Sequence, residues 1–184
     1  MGNLERSEDI FLDDRNAWFE DIMDAFGENL TKLAYTYVKD WKIAEDVVQD
    51  VFIICYKQYE NLESITSFKS WIYRITINRS KDVLKSSSIR RMIMNPNLFH
   101  FFRAKDLSPE MAVVKRSEEE LLSVCVLALP LKYREVISLY YYEDLQIEEI
   151  SKILKMNKNT IKTRLNRARG KLKKLMERCD MDGV

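Results

Sequence analysis

Apolar residues recur along this chain at intervals of three and four, the spacing of one helix face, and the pattern predicts an all-α fold. Residues 1–16 are polar and acidic and are expected as a flexible arm. Phe19, Ile22, Met23 and Phe26 then mark a first helix, and Leu30, Leu33, Ala34, Tyr37 and Val38 a second. A third runs from Ile43 to Tyr59, with Val47, Val48, Val51, Phe52 and Cys55 as its apolar face. Residues 61–70 form a polar break, and Trp71–Lys85 is a fourth helix. Residues 87–112 read as a linker, punctuated by serines, Asn95-Pro96-Asn97 and Ser108-Pro109. That linker also holds Met92, Ile93, Met94, Leu98, Phe99, Phe101 and Phe102, which predicts that it docks on its own domains or on a partner. Beyond it, Ser117-Glu118-Glu119-Glu120 is a capping box ahead of Leu121, Leu122 and Val124. Leu129-Pro130 ends or kinks that helix, and Tyr133–Tyr142 is the next. The expectation is two small helical domains, residues 17–86 and 113–178, joined by a linker.

The last forty residues carry the sharpest pattern. Ile147, Ile150 and Leu154 mark a short helix, and Asn157 is a good N-cap for a longer one, with its side chain expected to accept from the amide of Thr160. On the long helix Ile161, Leu165, Ala168, Leu172 and Leu175 form an apolar stripe, and Asn159, Thr163, Asn166, Arg167, Gly170 and Lys174 fall opposite. Ser151 is small where the two helices must cross. Residues 157–175 hold eight Lys or Arg and no acid, the footprint of a helix that approaches phosphates. A helix-turn-helix lays its second helix in the major groove, where Asn and Arg read base edges and Thr meets a thymine methyl. A charge run alone would describe any solvated basic helix; the cap, turn, stripe and absence of acids together point to DNA.

Composition narrows the class. The 184 residues are 46% hydrophobic with only 4 Gly and 3 Pro, enough for packed helical cores and poor in turn-formers. The formal net charge of +1 conceals segregation: residues 1–60 carry fourteen acids and six bases, residues 67–91 seven bases and one acid. Such asymmetry suggests one face for a protein partner and others for nucleic acid. Cys55, Cys125 and Cys179 are odd in number and far apart, so neither a disulfide framework nor a metal site is expected. Cys55 and Cys125, in apolar runs, read as buried thiols. The acidic start without an apolar run predicts no signal peptide, and no stretch is apolar enough to span a membrane. The expectation is a soluble cytoplasmic protein with no cofactor.

Three blocks carry a family resemblance. The first is Ala44-Glu45-Asp46-Val47-Val48-Gln49-Asp50-Val51-Phe52, the second runs from Phe68-Lys69-Ser70-Trp71 to Ser80-Lys81-Asp82, and the third from Leu129-Pro130 through the helix-turn-helix to Lys171-Leu172. In this order the chain resembles a group IV, extracytoplasmic-function (ECF) sigma factor of bacterial RNA polymerase. The resemblance implies two helical domains that bind core polymerase, the first reading and opening the −10 promoter element and the second reading the −35 element. It implies promoter DNA and core polymerase as partners, together with an anti-sigma factor, often membrane-bound in the family. The pattern usually has Ala where Ser151 stands, a change small enough to keep the helix crossing.

Each block also has a physical reading. Asp46, Gln49 and Asp50 share a polar strip at i, i+3 and i+4, and the resemblance docks it on the clamp helices of the polymerase's largest subunit, a basic coiled coil suited to two carboxylates. In the second block Ile72, Tyr73, Thr76, Ile77, Val83 and Leu84 face one way, and Trp71, Arg74, Asn78 and Lys81 the other. Trp71 on a basic face is a base-stacking platform or a half-buried core residue. The resemblance adds Phe68 and Lys69 to the −10 surface and makes residues 61–70 the loop for an extruded base. Primary sigma factors carry two adjacent aromatics here; Trp71 is followed by Ile72, which implies weaker melting and stricter promoter choice. The −35 candidates are Asn159, Lys162, Thr163, Arg164, Asn166 and Arg167.

A helix-turn-helix regulator that never touches polymerase would share the third block but needs neither the acidic first domain nor the Trp71 block. An enzyme has little to stand on. The one histidine, His100, lies in the linker, and glycines at 2, 27, 170 and 183 make no phosphate-cradling loop.

Overall fold

A computed structural model describes residues 2–86 and 118–181 of the chain. Among these residues there are helices and no strand. In order they are α1 (Gly2–Val38), α2 (Trp41–Lys57), a 3-10 turn (Tyr59–Ser64), α3 (Phe68–Lys85), α4 (Glu118–Ala128), α5 (Leu131–Ile137) widening into a π-helical turn (Ser138–Tyr142), α6 (Ile147–Leu154) and α7 (Lys158–Met181). Two compact units divide between Lys81 and Asp82, in the last turn of α3. The linker at residues 87–112 and the Ser117 of the expected capping box lie outside the described residues.

The first departure from the sequence reading is α1. It is one helix from Gly2 to Val38, which replaces the flexible arm expected at residues 1–16 and the two separate helices after it. Nothing in this stretch stops a helix. It has no proline, and its interior glycine, Gly27, costs only about 1 kcal/mol against alanine. At Val38 the chain reverses within two residues. Lys39 takes a left-handed conformation (φ 55°), and Asp40, extended, accepts from the Ile43 amide at 3.0 Å to cap α2. The two helices therefore pack along each other. Leu30, Leu33, Ala34, Tyr37 and Val38 of α1 are buried with Ala44, Val47, Val48, Val51 and Cys55 of α2.

α3 supplies the third side of this core through Ile72, Tyr73 and Ile77. It starts at Phe68, three residues earlier than its apolar pattern predicts, because the Ser67 hydroxyl accepts from the Ser70 amide at 3.3 Å. Thr76 and Ser80 are also fully buried. Each hydroxyl donates to the carbonyl four residues earlier, at 2.9 and 2.8 Å, so neither is stranded in the core. Cys55 and Cys125 are both buried and not disulfide-bonded, and burial pushes the Cys55 thiol up to about 12, as suits a packing residue.

In the second unit α7 lies against α4, α5 and α6. Ile161, Leu165 and Ala168 of the expected stripe are buried; Leu172 and Leu175, farther along, are half-buried. The α4–α5 elbow at Pro130 is held by Arg134, itself buried, which donates to the carbonyls of Leu127 at 2.6 Å and Leu129 at 3.4 Å. These carbonyls end α4, where a cation is favoured both by hydrogen bonding and by the helix dipole.

The turn between α6 and α7 is closed by hydrogen bonds from both sides. Glu149 accepts from the Gln146 amide at 2.8 Å at the start of α6. The Met156 amide donates to the Ser151 carbonyl at 3.0 Å, and the Ser151 hydroxyl donates back to the Met156 carbonyl. Asn157 caps α7 by accepting from Asn159 at 2.8 Å, one residue before the Thr160 expected. Lys155 holds the turn in a left-handed conformation (φ 52°) that glycine adopts without penalty. Lys155→Gly is therefore expected to stabilise the second unit by about 1 kcal/mol, and Lys155→Val to destabilise it. Urea melts of the two variants check this; equal midpoints would show that the turn is unstrained.

Candidate functional site

Three exposed faces, each opposite a buried stripe, collect the candidate residues. On α2 the core side is Val47, Val48, Val51 and Cys55, and Asp46, Gln49 and Asp50 are all exposed on the other. Neither Asp46 nor Asp50 forms an ion pair among the described residues, so both carboxylates stay solvated. In projection Ile53, 51% exposed, falls between Gln49 and Asp46, one turn beyond Gln49 and Asp50. The sequence reading passed over Ile53. Its signal was available: it falls opposite the valines on the same wheel that placed the acids.

On α3 the buried side is Ile72, Tyr73, Thr76, Ile77 and Ser80. Asn78 is exposed, and Trp71, Arg74 and Lys81 are half-buried. Trp71 leans on Phe68 with ring centroids 5.6 Å apart. Phe68 in turn meets Trp18 at 6.0 Å and Phe26 at 5.8 Å, both edge-on. The Phe68 ring is thus built into the first unit, and its tilted contact is what holds the Trp71 indole in place. Lys69 lies 6.0 Å from the ring of Tyr73 on the same helix, and Lys81 lies 5.8 Å from the ring of Tyr37 on α1. The break at residues 61–70 is largely structured, as the 3-10 turn and the capped start of α3.

On α7 Asn159, Lys162, Thr163, Asn166 and Arg167 are all exposed. Thr163 donates its hydroxyl to the Asn159 carbonyl at 2.8 Å, which leaves its methyl as the group offered to a partner. Lys158, at the start of the helix, reaches Glu148 of α6 at 2.8 Å. That hydrogen bond and charge hold the Glu148 carboxyl below the usual carboxylate range.

Arg164 behaves differently from its neighbours. Its guanidinium turns toward α5 and pairs with Glu135 at 3.1 Å, the Glu135 side chain being only 4% exposed. A buried carboxylate needs such a partner, so Arg164 is tied to the core of the second unit while Arg167, three residues on, points outward. Sequence gave no sign of this. Glu135 sits in the block Tyr133–Ile137, and only the packed α5–α7 pair shows which arginine it meets.

Comparison with known proteins converges on one family. The Sigma-70 region 2 model matches residues 22–89, and the Sigma-70 region 4 model matches residues 119–172. The chain is 30% identical over 163 residues to the ECF RNA polymerase sigma factor SigW of Bacillus subtilis, covering 85% of this chain and 87% of that one. It is 32% identical over 164 residues to the RNA polymerase sigma factor SigZ of the same organism, covering 87% and 88%. This chain belongs to the ECF group of RNA polymerase sigma factors.

Two solved structures share the fold at a TM-score of 0.61. One is CnrH in complex with the cytosolic domain of CnrY, 21% identical, covering 86% of this chain and 87% of that one. The other is the sigma factor RpoE in complex with the anti-sigma factor NepR from Bartonella quintana, 20% identical, covering 86% and 96%. As an ECF sigma factor the chain binds core RNA polymerase and initiates transcription at promoters, and sigma factors are non-catalytic initiation factors. The reading as a duplex-binding regulator independent of polymerase is displaced by the region 2 match. No helix among the described residues is long and apolar enough to cross a membrane.

The two arginines of α7 should separate in a stability measurement. Arg164→Ala is expected to cost about 2 kcal/mol, the range for a charged hydrogen bond to a buried group. Arg167→Ala, exposed, should stay within about 0.5 kcal/mol of the parent. Chemical denaturation of both variants decides; similar losses would mean that the Glu135 pair is not what fixes α7.

Proposed function

We propose that the three exposed faces divide promoter recognition among them. The acidic strip Asp46, Gln49 and Asp50 of α2, with Ile53 as its apolar centre, docks on the clamp helices of the polymerase's largest subunit. The outer face of α3 binds the opened −10 element. Trp71 stacks on an unpaired base, Phe68 supports it, Asn78 offers a hydrogen bond, and Lys69, Arg74 and Lys81 hold phosphates. The outer face of α7 reads the −35 duplex through Asn159, Lys162, Thr163, Asn166 and Arg167, with Arg164 positioning the helix from within.

The observation that carries this reading is the separation of charge by face: unpaired carboxylates on α2, and on α7 an outer face with no acid from Asn159 to Lys174. Carboxylates favour a basic protein surface and would repel DNA, while lysine and arginine draw phosphates. The domain assignment follows as residues 17–86 for core binding and the −10 element and residues 113–178 for the −35 element. The solved relatives that are complexes with CnrY and with the anti-sigma factor NepR support an anti-sigma factor as a further partner. The chain works in the cytoplasm beside polymerase, needs no cofactor and catalyses no reaction; the polymerase makes the phosphodiester bonds. Run-off transcription of genomic fragments by core polymerase, with and without this chain, tests the whole. Discrete new transcripts should appear with the chain, and an unchanged pattern would reject it.

Asp50→Arg should weaken association with core polymerase and leave the melting midpoint within the range of an exposed substitution, about ±0.5 kcal/mol. Co-sedimentation with core enzyme measures it, and full-strength assembly would remove the strip from the interface. Trp71→Ala should lose about 1–3 kcal/mol of affinity for single-stranded −10 DNA. Because the ring is only half-buried, the loss of fold stability should be smaller than the roughly 3–5 kcal/mol of a large core cavity. A variant that melts far earlier while folded molecules bind single strands normally would place Trp71 in the core.

A further inference from the structure

Gly170 lies in the interior of α7, where glycine weakens a helix relative to alanine. Nothing in the fold of the described residues requires it. The residue is exposed, its backbone is not left-handed, and a Cβ built there would meet no atom within 4 Å. Alanine would suit the helix better. The bare position therefore answers to something outside the described structure.

Its neighbours indicate what. Residues three and four apart adjoin on a helix surface, so Gly170 is bordered by Asn166 and Arg167 on one side and by Lys173 and Lys174 on the other, all exposed. Thr163, two turns earlier and roughly 10 Å along the axis, shares its line on the outer face. Lys174 has no acidic partner among the described residues, and Lys173 reaches only Glu177, at 3.8 Å on the surface. The gap thus separates the side chains assigned to base edges, Asn159 to Arg167, from a following pair of lysines.

Resting on the reading of α7 as the −35 helix, we propose that a phosphodiester of the −35 duplex lies directly against the backbone at Gly170, held by Lys173 and Lys174. Without a Cβ the strand approaches α7 closely enough for the lysines to contact its oxygens, and that contact sets how deep the N-terminal half of α7 enters the groove. Gly170 is in this sense a positioning residue. Its role is steric, and it predicts opposite signs for stability and binding.

The test uses the full chain assembled with core polymerase on a promoter fragment, titrated at several salt concentrations. Gly170→Ala should raise the thermal midpoint of the chain by a few degrees. It should also weaken promoter binding by roughly tenfold, the equivalent of one charge-assisted phosphate contact, to the same extent on all −35 sequences. Gly170→Leu should weaken it further, and Lys174→Gln should lower the slope of log affinity against log salt by about 1. Arg167→Ala serves as the control, because it should change selectivity between −35 sequences. If both Gly170 variants bind with parental affinity while Arg167→Ala alters selectivity, the close approach at Gly170 is wrong and the −35 assignment stands. If Arg167→Ala leaves selectivity and affinity unchanged as well, the −35 assignment itself fails and takes this inference with it.

Discussion

Each candidate surface of this protein depends on one constraint: a helix that buries one stripe must present the opposite stripe to whatever lies outside. Val47, Val48 and Val51 can reach the first core only if Asp46, Gln49 and Asp50 face away from it. The same holds for Ile72, Tyr73 and Ile77 against Trp71 and Asn78, and for Ile161, Leu165 and Ala168 against Asn159, Thr163 and Asn166. Burying an apolar side chain is worth about 1.5–3 kcal/mol, while turning a solvated surface residue changes little. The cores therefore choose the rotation of each helix, and the exposed candidate faces inherit it.

Charge does two distinct jobs here, and burial separates them. Arg134 and Arg164 are spent inside the second unit, one on the carbonyl end of α4 and the other on Glu135. They hold the α4–α5 elbow and the seat of α7, so that a helix with a wholly polar outer face is still fixed in place. Arg167 and Lys162 are exposed and form no ion pair among the described residues, so they can release counterions and meet phosphates without first breaking an internal pair. On α2 the situation is reversed in sign, with carboxylates left unpaired in a part of the chain where acids outnumber bases. On the proposed reading the α2 face attracts a polymerase surface and the α7 face a polyanion, and placing the two kinds of charge on different helices keeps them from neutralising each other.

The aromatic cluster of the first unit shows how a site can be supported from beneath. Trp18, Phe26 and Phe68 interlock edge to face, and Phe68 passes that rigidity to Trp71 at the surface. An indole held at a fixed tilt loses less freedom on stacking with a base than one that swings freely. The support comes from α1, residues far from α3 in sequence.

The sequence by itself determined the helices, the two apolar cores, the three candidate faces and the family, because all of these follow from periodic spacing and local motif. Asn157 and the Leu129-Pro130 break were legible for the same reason, since caps and stops act over a few residues. It misjudged the first sixteen residues, where polarity was taken for looseness, and the start of α3, where a serine cap outweighed the pattern. Only the tertiary structure decided that Arg164 turns inward to Glu135, that Phe68 is built into an aromatic cluster, and that a Cβ at Gly170 would meet nothing. Those facts depend on which helix lies across from which. A one-dimensional pattern gives a residue's angle on its own helix, and the partner at that angle is supplied by chain packing from many residues away.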